Sequence, residues 1–76
     1  MQTTNKDGFT SVSSGHLDAV KYDSMARQMT VRFQNGYHYA VHDVSPEDYD
    51  AFISAPSQGA HYHQVLKSNF RIERVK

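Results

Sequence analysis

Seventy-six residues with eight Lys plus Arg, eight Asp plus Glu and no cysteine describe one small domain of zero net charge. The missing cysteines exclude disulfides, thiolate catalysis and Cys-based zinc fingers, and the charge balance argues against strong non-specific binding to nucleic acid or anionic membrane. A chain this short buries only about 60–65% of its unfolded surface, which leaves no room for a deep two-lobed active site.

In chain order, residues 1–11 hold few apolar groups and read as a flexible tail ahead of a single domain over residues 12–76. No apolar run reaches membrane-spanning length and no signal peptide is visible, so the expectation is a cytoplasmic protein with no membrane partner. His16 to Tyr22 reads as a first strand. Leu17, Ala19, Val20 and Tyr22 do not alternate cleanly, which predicts a bulge near Ala19-Val20. Asp23 to Gln28 is a polar connection. Met29, Val31 and Phe33 share one face of the next strand, with Thr30 and Arg32 on the other. Asn35 and Gly36 both tolerate positive φ, as a tight hairpin turn requires. Beyond them Tyr37, Tyr39 and Val41 share a face, opposite His38, Ala40 and His42.

Ser45-Pro46-Glu47-Asp48 is a helix start. Ser45 can accept from a free backbone N–H, Pro46 suits the first helical position, and the two acids favour the positive end of the helix dipole. Tyr49, Phe52 and Ile53 follow at i, i+3, i+4 spacing. Pro56 ends the helix by disfavouring the α conformation at Ala55. A second helix is expected from about Ser57 or Gly59 to Ser68, with Tyr62, Val65 and Leu66 as its stripe. Phe70 to Val75 alternates again and reads as a short last strand. The order β-β-β-α-α-β predicts an α+β fold: a three-stranded antiparallel meander packed on one face by two helices, plus a short C-terminal strand. The expected core is Met29, Val31, Phe33, Tyr37, Tyr39, Val41, Phe52, Ile53, Val65 and Leu66.

The ordered series Ser13-Ser14, Tyr22-Asp23, Met29-x-Val31-x-Phe33, Gly36-Tyr37-x-Tyr39, Val44-x-Pro46, Tyr49, Phe52, Ala55-x-Ser57-x-Gly59 and Phe70 to Val75 resembles the KTSC domain family. That short module occurs at the C-terminus of some lysyl-tRNA synthetases and as free-standing bacterial and phage proteins. The resemblance covers about residues 12 to 75. The chain departs from the family at Tyr62-His63, where the family often has Asn after the aromatic. Attachment to a tRNA-handling enzyme implies RNA binding by association.

Residue by residue, Tyr37 and Tyr39 have two readings. On a sheet they can stack unpaired bases, at about 1–3 kcal/mol per base; in register with Val41 and on the side of Met29, Val31 and Phe33, they read first as core. The phosphate-neutralising candidates are Arg32, Lys67, Arg71 and Arg74, a set small enough that binding should be modest and salt-sensitive. No metal or cofactor is expected. His38 and His42 stand about 13 Å apart along one strand, and His61 and His63 about 200° apart around one helix. No Gly-x-Ser-x-Gly turn, phosphate loop or paired catalytic carboxylates are recognisable, so the reading is not an enzyme but a non-catalytic binding module. RNA is the first expected partner. The alternative is a protein-interaction module, acting on another protein or self-associating as a homodimer through the exposed edge of the last strand.

Overall fold

The computed structural model describes residues 8–76. Five strands form one antiparallel sheet whose spatial order follows the chain: β1 (Thr10–Ser14), β2 (Leu17–Asp23), β3 (Gln28–Phe33), β4 (His38–Val41) and β5 (Ile72–Arg74). The expected three-stranded meander is thus the middle of a five-stranded one. The C-terminal strand pairs with β4, Val41 facing Ile72 and Tyr39 facing Arg74. The added strand, β1, corrects the expected tail: Thr10 and Ser11 pair with Val20 and Ala19, and residues 1–7 of that tail lie outside the described residues. A strand of sequence Thr-Ser-Val-Ser-Ser offers little apolar alternation. It forms because β2 presents a row of backbone groups that need partners.

The β3–β4 connection sets the faces of the sheet. Phe33 N–H donates to Tyr37 O at 2.9 Å and Gly36 N–H donates to Phe33 O at 2.9 Å, closing a loop of residues 34–36. Gly36 takes φ +93°, whereas Asn35 does not enter the left-handed region, so the expected pair of positive-φ residues is corrected to one. Loop length matters because register follows it. A two-residue Asn-Gly turn would set Val31 against Ala40 and drive the apolar rows to opposite faces. The third loop residue, Gln34, sets Val31 against Tyr39 and Met29 against Val41, and both apolar rows meet the helices. The bulge expected in β2 is present one position earlier: Leu17 faces Phe33, yet Ala19 faces Arg32, so Asp18 is the extra residue.

Helix α1 (Pro46–Ser54) starts as its sequence requires. Asp48 N–H donates to Ser45 Oγ at 3.1 Å, and Ser45 N–H donates to Asp48 Oδ2 at 3.3 Å, a reciprocal capping box. Ala55, before Pro56, is extended at φ −64°, ψ 146°. The carbonyls left over at that end are met by Gln58 Nε2, 2.9 Å from Ile53 O and 3.1 Å from Ala55 O. A second helical segment, α2, runs over 58–69. It is α-helical at Gln58–His61, π-helical at Tyr62–Leu66 and α-helical again at Lys67–Asn69.

Leu17, Val20, Met29, Val31, Val41, Val44, Phe52, Tyr62 and Leu66 form the core between sheet and helices. Three expected members, Tyr37, Tyr39 and Val65, leave it. Tyr37 is 44% exposed, because the hairpin tip projects past the helical cover. Val65 is half-buried beside Pro56. The wider π turn rotates it off the Tyr62–Leu66 stripe. Phe33, Tyr39 and Ile53 are half-buried rather than fully enclosed.

The opposite sheet face is not bare. Phe9 is buried there, its ring 4.7 Å from the Arg32 guanidinium carbon and 5.7 Å from the His38 ring, edge-on. Ala19 and Ala40, which point to this face, are buried with it. Arg32 also donates through Nε to Asp18 Oδ2 at 2.7 Å.

At the other end, α2 meets the β1–β2 turn through bare backbone. A Cβ on Gly59 would stand 3.0 Å from Ser14 O and 3.4 Å from Gly15 Cα. Gly59 N–H donates to Ser14 Oγ at 3.1 Å. Gly59→Ala gains at most about 1 kcal/mol of helix propensity, while forcing two anchored backbones apart costs about 1–3 kcal/mol. The expected net result is a loss of about 1 kcal/mol and a Tm lower by about 4–8 °C. A calorimetric scan showing equal or higher Tm would disprove the close approach.

Candidate functional site

The projecting β3–β4 tip and the far end of α2 leave a cleft of about 660 Å³ between them. Its walls are aromatic. Phe33, Tyr37 and Tyr39 come from the hairpin, Tyr62 from the π turn and Phe70 from the end of α2. Phe33 holds the assembly together, edge-on to Tyr39 at 5.2 Å and to Tyr62 at 5.4 Å. Ile72 of β5 closes the floor. The turn between β1 and β2 adds His16, and α2 adds His63 and Lys67. This turn is held against the hairpin by Gln34 N–H donating to His16 O at 2.8 Å. Arg74 lies outside the lining with its guanidinium carbon 4.7 Å over the Tyr37 ring.

Every ionisable side chain lining the cleft is a phenol, an imidazole or an ammonium; none is a carboxylate. No described carboxylate pairs with Lys67. The Tyr62 hydroxyl is pushed above its ordinary pKa of 10.0, first by burial and second by Tyr39 nearby. Tyr49 is likewise raised, chiefly by burial, in a ring stack with Tyr22 at 4.6 Å and 7°. A phenol whose folded pKa exceeds its unfolded value contributes stability that is present below about pH 10 and lost as pH rises through the folded value. Stability should therefore fall above pH 10, and Tyr62→Phe should flatten that alkaline limb. Urea melts between pH 8 and 11 check it; an unchanged limb in the variant refutes the assignment to Tyr62.

Of the expected site residues, Tyr37, Tyr39 and Lys67 line the cleft, and Arg74 sits against Tyr37. Arg71 is exposed and does not line it. Arg32 lies on the opposite sheet face with Phe9 and Asp18, so the basic residues do not form one strip. His16 from the β1–β2 turn joins Tyr62, His63 and Phe70 from α2 and its end, a convergence that local spacing does not reveal. The histidines of the far face are apart from it: His42 Nε2 lies 2.8 Å from Glu73 Oε1. Among the described residues no three His, Cys, Asp or Glu side chains gather closely enough to hold a metal ion. No described helix is long and apolar enough to cross a membrane.

A profile of the KTSC domain matches residues 13–70. The chain belongs to the KTSC domain family. A KTSC domain protein from Yersinia pestis, solved by crystallography, superposes with a TM-score of 0.80 at 26% identity, covering 90% of this chain and 96% of that one. Relatives include a protein of Tsukamurella paurometabola, 32% identical over 79% of this chain and 90% of its own length. An uncharacterized protein of Stutzerimonas stutzeri is 32% identical over 84% of this chain and 92% of its own length. A lysine–tRNA ligase of Nostoc punctiforme is 28% identical over 71% of this chain but only 10% of the ligase. The KTSC domain is thus both a nearly whole small protein and a minor part of a tRNA-charging enzyme. This KTSC chain shares the α+β architecture, and nothing in its described residues indicates catalysis.

Proposed function

We propose that this KTSC domain is a non-catalytic module that binds single-stranded RNA by holding an unpaired base in the aromatic cleft. The observation that carries the reading is the cleft itself: five aromatic rings, with Lys67 in its wall, Arg74 against Tyr37, and no carboxylate among the lining residues. Unpaired bases stack on aromatic side chains at a protein surface, and the phosphates beside them need cations. Tyr37 is the outermost ring and meets a base first; Tyr39 and Tyr62 form the wall behind it. The likeness to part of a tRNA ligase supports the same partner class.

Filter binding with single-stranded RNA and with tRNA tests the proposal. Binding is expected near 50 mM salt and should weaken as salt rises, with a slope of about −0.7 for each phosphate neutralised. No binding at low salt to either RNA overturns it. Lys67→Ala and Arg74→Ala should each weaken binding several-fold and lower the salt slope by less than one. Arg32→Ala, on the other face of the sheet, should leave affinity unchanged. Equal losses from Arg32→Ala and Lys67→Ala would move the site out of the cleft.

A second reading rests on β5. This three-residue strand is one of the two sheet edges, paired to β4 alone, and an edge can take up a strand from another chain or a second copy. Light scattering separates the two: mass doubling with concentration, abolished by Glu73→Pro, supports pairing at this edge.

A further inference from the structure

The cleft holds three side chains whose roles the aromatic rings do not explain: His16, His63 and Lys67. They come from two elements remote in sequence, the β1–β2 turn and the second helix, and they share the lining of one cavity. The protein as a whole carries as many acids as bases. Here the balance fails, because Tyr37, Tyr39 and Tyr62 are the other ionisable groups of the lining and Arg74 is the charge next to it. A cavity that joins apolar rings to unopposed nitrogen cations complements a planar ring carrying an anion.

We propose that His16 and His63 are phosphate-binding residues, which hold the phosphate of the nucleotide whose base occupies the cleft and grip it more tightly as pH falls. This rests on the RNA reading and adds the site of the phosphate and its switch. The neutral imidazole offers one N–H donor and one acceptor lone pair; the protonated ring offers two donors and a positive charge. Phosphate takes charge-assisted N–H donors in preference to neutral ones. Histidine as a residue type changes state in the window from roughly pH 8 to pH 5, well below the range in which lysine and tyrosine side chains ordinarily ionise. Proton uptake at the two rings is therefore coupled to anion binding, and each strengthens the other.

The test is filter binding of radiolabelled hexauridylate to the full chain at pH 8.0, 7.0, 6.0 and 5.5, at constant ionic strength. Uracil and internal phosphodiesters have no group that titrates in that range, so with the label in an internal phosphodiester and no terminal phosphate a pH effect belongs to the protein. Wild-type affinity should rise about tenfold from pH 8.0 to 5.5. A His16→Gln, His63→Gln double variant should lose most of the rise, whatever its affinity at pH 8.0. A His38→Gln, His42→Gln variant, altered on the opposite face, should keep it. Circular dichroism at each pH establishes that every variant stays folded. If the double variant does not fold, the same rise is read in wild type by NMR, with the His16 and His63 imidazole resonances moving on RNA addition and those of His38 and His42 still. RNA binding with a pH profile unaltered in the double variant, or still resonances at 16 and 63, overturns the phosphate role and leaves the RNA reading standing. No hexauridylate binding at any pH overturns both.

Discussion

Phe52→Ala should lower the stability of the fold by about 3–5 kcal/mol. Phe52 is the fully buried residue of α1, and its ring meets His61 of α2 edge-on at 5.7 Å. It links both helices to the sheet. Truncating a buried Phe to Ala costs about 3–5 kcal/mol, the lost transfer energy plus the cavity left behind. At roughly 0.05–0.15 kcal/mol per residue, a domain of this size has about 4–11 kcal/mol in total. The variant should therefore lose about a quarter of its stability at the least and all of it at the most. Urea denaturation followed by circular dichroism measures it, with exposed Asp50→Ala as a control expected within about 0.5 kcal/mol of wild type. A Phe52→Ala loss below about 1 kcal/mol would mean that α1 is not seated on the core.

Tyr37→Ala should separate recognition from stability. The ring is 44% exposed, so its removal should change the folding free energy by less than about 1 kcal/mol. As a stacking platform it should contribute about 1–3 kcal/mol per base, so RNA affinity should fall about five- to 150-fold. Tyr37→Phe should keep most of the affinity, since the π face remains. Part of the loss in Tyr37→Ala comes through Arg74, which would no longer have a ring beneath its guanidinium. A double-mutant cycle over positions 37 and 74 apportions the two. Full affinity in Tyr37→Ala would remove the outer ring from the binding site.

Much of the architecture was written in short-range patterns. The Ser45-Pro46 helix start, the stop at Pro56, the alternation of Met29, Val31 and Phe33 and the β2 bulge all follow from local chemistry, and all are present. What failed to show has a common cause: it depends on partners distant in the chain. Thr10–Ser14 carries no strand pattern of its own and forms on the edge of β2. Phe9 is one apolar residue among polar neighbours, and only the opposite sheet face gives it somewhere to be buried. The π turn at Tyr62–Leu66 has no local signature, yet it decides that Tyr62 is enclosed and Val65 is not. For the candidate site, the Tyr37/Tyr39 pair was visible but read as core, since alternation reports a face and not how far the covering helix extends along it. The contributions of His16, in the β1–β2 turn, and of His63 and Phe70, in and at the end of α2, become one cleft only in the folded chain.

From β1 to β4 each strand neighbours the next across a short connection, so this part of the sheet can assemble from successive hairpins. The seam between Gly59 and the β1–β2 turn is different: it joins positions 45 residues apart at Ser14 and Gly59. Contacts of that span form late on the way to the native state. A defect at the seam should then leave the refolding rate almost untouched and appear instead as faster unfolding. The lifetime of the folded molecule, more than the speed of its formation, is thus governed by one glycine.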